Sequence, residues 1–105
     1  MELQKRLAAA GLPLRFVAPG CYDAMLREFS RFHLFAYDVQ AHAVQDANGI
    51  TIVLRFGLQL DHEKRQYFTR EQIANMDDEL TAFFRKAAED CKQKLKSDYM
   101  NMIKT

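Results

Sequence analysis

Residues 33–60 constrain this chain more than any other stretch, because apolar and polar side chains alternate through them on both sides of Asp46-Ala47-Asn48-Gly49. In a strand, alternate side chains share a face. Before the break the odd positions Phe35, Tyr37, Val39, Ala41 and Ala43 are apolar, and Asp38, Gln40 and His42 lie between them. After it the even positions Ile50, Ile52, Leu54, Phe56, Leu58 and Leu60 are apolar. Thr51, Val53, Arg55, Gly57, Gln59 and Asp61 alternate with them. The pattern predicts one long hairpin, with strands at about 33–45 and 50–60.

The faces restrict the register. An odd apolar face meets an even one only when paired residue numbers sum to an odd value. A two-residue Asn48-Gly49 turn is the strongest short hairpin signal, since both positions need φ > 0. It pairs Ala47 with Ile50 and sets Ala43 beside Leu54, Ala41 beside Phe56, Val39 beside Leu58 and Tyr37 beside Leu60. A four-residue loop pairing Gln45 with Ile50 keeps the same parity. A three-residue loop with a Gly49 bulge pairs Asp46 with Ile50 and splits the apolar face. The face pattern argues against that last option.

The remaining segments supply cover for one face of this hairpin. Leu3, Leu7 and Ala8-Ala9-Ala10 predict a short helix over 2–10, stopped by Gly11 and Pro13. Residues 14–18 read as a short strand or an extended connector. Tyr22, Met25, Leu26, Phe29 and Phe32 recur at helical spacing opposite Asp23, Arg27, Glu28 and Arg31, and so predict a helix of about three turns. His62-Glu63-Lys64-Arg65 reads as a polar loop, and Gln66-Tyr67-Phe68 as a short third strand. Thr69-Arg70-Glu71-Gln72 has the capping-box pattern that starts a helix. From there a helix is predicted over about 70–96 or beyond. Roughly 35 residues of helix span about 50 Å, more than a sheet of this size covers. The helix must therefore break near Ser97-Asp98 or leave its apolar tail, Tyr99, Met100, Met102 and Ile103, for a partner. The predicted fold is a single α+β domain over 1–105, an antiparallel sheet with short N-terminal helices and a long C-terminal helix on one face.

Composition narrows function by exclusion. The net charge of +1 lacks the basic excess of most nucleic-acid binders. Cys21 and Cys91 are too few and too far apart for a disulfide framework. The charged N-terminus lacks a signal-peptide pattern, and no window approaches the ~18 apolar residues of a membrane span. A cytoplasmic protein with reduced thiols is expected.

No catalytic, cofactor or metal motif stands out. Asp38 and His42 share the polar face, but four strand residues separate them by about 13 Å. Asp61-His62-Glu63 are adjacent loop residues that do not converge unaided. Cys21 follows Pro19-Gly20 at a helix start, where a thiol can become a nucleophile if a histidine assists it. Lys92, Lys94 and Lys96 give the last helix a basic end, best read as a solvated face. The expectation is a non-enzymatic binding or assembly module that forms a homodimer without cofactors or membrane contact. A ligand-binding protein or enzyme with a pocket near Cys21, and a weak nucleic-acid binder, are the rivals.

Overall fold

The computed structural model describes residues 11–104. The helix expected over 2–10 lies outside them. The described chain runs β1 (Leu12–Pro13), α1 (Leu14–Val17), α2 (Pro19–Ser30), a 3-10 turn (Ala36–Asp38), β2 (Val39–Gln45), β3 (Gly49–Phe56), β4 (His62–Thr69), α3 (Arg70–Asn75) and α4 (Asp78–Lys104). It is the expected α+β arrangement. The strands form one antiparallel sheet in the order β1-β2-β3-β4.

The hairpin keeps its predicted parity but not its predicted turn. Gln45 pairs with Ile50, which places Ala43 beside Ile52, Ala41 beside Leu54 and Val39 beside Phe56. That is the register of the longer loop. Neither Asn48 nor Gly49 is left-handed, so the two-residue turn does not form. Asp46 closes the loop instead, its Oδ1 accepting from Asn48 N at 2.7 Å and Gly49 N at 2.8 Å. Position 49 needs glycine for a different reason. A Cβ there would clash with the Phe68 carbonyl oxygen and lie 2.8 Å from the Tyr67 hydroxyl.

The strands are also shorter than their alternation implied. Phe35 and Tyr37 sit in and before the 3-10 turn, stacked on each other and exposed. Leu58 and Leu60 lie beyond β3. Two further expectations are corrected. Residues 14–17 are a helical turn, with the short strand just before them. His62–Arg65 belong to β4, an eight-residue strand rather than a loop. Their charge hid the strand, because β4 is an edge and three of the four residues it turns toward the helices, His62, Lys64 and Gln66, are polar. Lys64 points inward opposite Leu54 and meets Asp90 of α4 at 2.9 Å. An inward charge on an edge strand discourages pairing with other chains.

The core lies between this sheet and the helices. Met25 and Phe29 of α2, Ile52, Leu54 and Phe56 of β3, Phe68 of β4, and Leu80, Phe84, Ala87, Ala88 and Cys91 of α4 form one buried cluster. α2 closes without glycine. His33, at φ 60, ends it, with Leu34 N donating to Phe29 O at 3.1 Å and His33 N to Ser30 O at 3.0 Å. The capping box forms as expected, with Gln72 N donating to Thr69 Oγ1 and Thr69 N to Gln72 Oε1. The helix it starts is brief. Met76, at φ 47, breaks it, and the Asp77 side chain caps the next through Leu80 N at 3.0 Å. α4 then passes Ser97 unbroken.

Candidate functional site

The 27 residues of α4 give it a length of about 40 Å, against about 26 Å for the eight residues of β3. The helix therefore outruns the sheet. Its buried stripe passes through Phe84, Ala88 and Cys91 to the partly buried Leu95. The spacing carries it on through Tyr99, Met102 and Ile103, at four, seven and eight residues past Leu95. There is no longer a sheet beneath. Tyr99 is 60%, Met100 49%, Met102 62% and Ile103 63% exposed.

The segment after β3 positions this end. Gly57, at φ 100, begins a turn closed by Leu60 N donating to Gly57 O at 3.1 Å. A side chain at Gly57 would meet Asp61, Lys94 and Asp98, so glycine lets the turn approach α4. Asp98 Oδ2 then accepts from Leu58 N at 3.1 Å, while Lys94 Nζ reaches Asp98 Oδ1 at 3.0 Å and Asp61 at 3.8 Å. The Leu58 N–H and Lys94 together hold the Asp98 carboxyl below its ordinary range. Asp98 thus clamps the turn to the helix and presents Leu58, 51% exposed, alongside the tail. A shallow cavity of about 380 Å³ lies between them, lined by Leu58, Gln59, Asp61, Asp98, Asn101 and Met102. Sequence reasoning found the tail residues by their helical spacing. It missed Leu58, which it placed in the sheet face.

The other candidate residues lie elsewhere. Cys21 is buried in the first turn of α2, and burial pushes its thiol up to about 11, away from the thiolate that nucleophilic chemistry needs. Cys91 is a core residue whose thiol is pushed up to about 12 by burial, with Asp38 adding to the shift. The Asp38 carboxylate caps the 3-10 turn through Phe35 N at 2.7 Å. His42 faces Val53, not Arg55 as the shorter turn predicted. Asp61, His62 and Glu63 diverge. Asp61 turns to Lys94, the His62 ring packs 4.8 Å from that of Phe56, and Glu63 pairs with Arg55 and Arg65.

The basic end of α4 is largely engaged within the chain. Lys92 Nζ donates to the Phe32 carbonyl oxygen at 2.9 Å, at the closing turn of α2, where a cation suits the helix dipole. Glu89 lies 4.0 Å from Lys86. Among the described residues no helix is long and apolar enough to cross a membrane. No protein-family model, curated protein or solved structure matches the chain.

Proposed function

We propose that this chain is a non-enzymatic assembly module that self-associates through the last two turns of α4. The observation that carries the reading is the continuation of the buried stripe of α4 into exposed Tyr99 and Ile103, with exposed Met100 and Leu58 near them. A second copy is the occupant that fits. No charged residue lies between Asp98 and Lys104, so two tails meet without like-charge repulsion. Two straight helices crossing about a two-fold axis interlock their side-chain ridges.

Sedimentation velocity between 1 and 100 µM tests this. The expected result is a concentration-dependent dimer that the double variant Tyr99→Glu, Ile103→Glu reduces to a 12.2 kDa monomer with an unaltered far-ultraviolet circular dichroism spectrum. A wild-type chain that stays monomeric at 100 µM refutes the reading.

A further inference from the structure

We propose that the outer edge of β2, between β1 and the 3-10 turn, is a slot for a short extended peptide that carries a carboxylate. The backbone directions carry the argument. Asp46 N donates to Gly49 O at 3.0 Å, so the even residues of β2 turn their N–H and C=O groups toward β3. By the period of two, Val39, Ala41 and Ala43 turn theirs outward. Ala43 meets the incoming chain there, and a Cβ built on Gly11 would lie 3.1 Å from its carbonyl oxygen. β1 stops at Pro13, opposite His42. Val39 and Ala41 lie beyond it. Among the described residues no backbone hydrogen bond closes their outward side.

A cavity of about 220 Å³ sits over this edge, with Pro13, Arg15, Tyr22, Ala36, Ala41 and His42 among its walls. The open length is three residues, about 10 Å. β1 blocks one end and the 3-10 turn the other, so the long edge of a second sheet cannot enter. A free segment of three or four residues can. Strand addition takes its affinity from main-chain bonds and its specificity from the side chains around them. Arg15 stands exposed at the mouth, 4.7 Å over the Phe16 ring, and makes no ion pair among the described residues. The Asp38 carboxylate, on the 3-10 side, already accepts from Phe35 N. Among the described residues Arg15 is the one charged side chain in the cavity wall, and Asp38 is not part of it, so the slot favours an incoming carboxylate. Phe35 and Tyr37, stacked with centroids 5.6 Å apart, offer an apolar platform on the 3-10 side.

Panning a phage-displayed library of random octapeptides on the immobilised full-length chain tests the slot. The expected yield is sequences with Asp or Glu next to β-branched residues. The best of them is then synthesised and titrated by fluorescence anisotropy. Arg15→Glu is expected to weaken it about tenfold or more. N-methylation of alternate peptide amides, which leaves the protein untouched, is expected to abolish binding, and Ile103→Glu to leave it unchanged. Three results overturn the proposal: no acidic peptide above an unrelated-protein control, binding indifferent to both Arg15→Glu and N-methylation, or binding lost with Ile103→Glu. The last would move the peptide to the tail of α4.

Discussion

The two ends of the sheet are finished in different ways. At the hairpin end, polar groups close on each other. The Asp46 carboxylate accepts from Asn48 N, Gly49 N and the Tyr67 hydroxyl, and Thr69 and Gln72 cap α3 reciprocally beside it. At the opposite end a single carboxylate, Asp98, holds the turn at Leu58, and the apolar stripe of α4 runs on uncovered. At one end polar groups are satisfied within the turn, and at the other apolar side chains are left exposed. The contrast separates side chains that specify a fold from side chains that are surplus to it.

The largest expected effect comes from cutting the same helix on the two sides of that boundary. Phe84→Ala empties a fully buried site and should cost about 3–5 kcal/mol in urea unfolding. Ile103→Ala should stay within about 0.5 kcal/mol for the monomer while weakening the dimer. A large stability loss from Ile103→Ala in a monomeric background would erase the contrast.

Next in size is the glycine of the hairpin. Gly49→Ala forces its new methyl against the Phe68 carbonyl and should cost about 1–3 kcal/mol, read from the shift in urea midpoint. Asn48→Ala should cost less, because Asn48 is not left-handed. The reverse order would indicate the two-residue turn after all.

The smallest effect is a dependence on pH. Hydrogen bonds from Asn48 N and Gly49 N hold the Asp46 carboxyl below its ordinary value, and that from Leu58 N does the same for Asp98. A carboxyl depressed by folding stabilises fully above its unfolded pKa of about 3.9. That stabilisation is lost as pH falls through the lower folded value. Asp46→Asn should therefore flatten the acid limb of thermal stability measured by circular dichroism from pH 6 to pH 2. Asp98→Asn should flatten it as well, and should also loosen Leu58 and so weaken the dimer. An unchanged acid limb in both variants would remove these carboxylates from the account of the two ends.

Much of the sheet was legible because burial writes itself as periodicity. Val39, Ala41 and Ala43 against Ile50, Ile52, Leu54 and Phe56 were readable as one face, and that face is buried or half-buried. The stripe of α4 was readable for the same reason, and the Thr69 cap from its local Thr-x-x-Gln pattern. The first half of β4 was not, since an edge strand buries little and its charges carry no alternation, and only Gln66–Phe68 were readable as strand. Met76 was not readable either. A left-handed methionine has no local sequence signal, and the break rests on the Asp77 cap and on the packing of α4.

The sequence alone therefore determined which side chains share a face, the parity of the hairpin, and that the last helix either breaks near Ser97 or overhangs the sheet. Each follows from covalent geometry and repeat spacing along one segment. The tertiary structure decided the particular register, the β4 edge, the kink at Met76 and the partnership of Leu58 with the tail. Those depend on carboxylates and backbone groups that meet only after folding: Asp46 on its own turn and Tyr67, Asp98 on a turn forty residues earlier, Lys64 on Asp90. Such contacts have no period in the sequence, because each joins segments whose separation the chain's local geometry does not set.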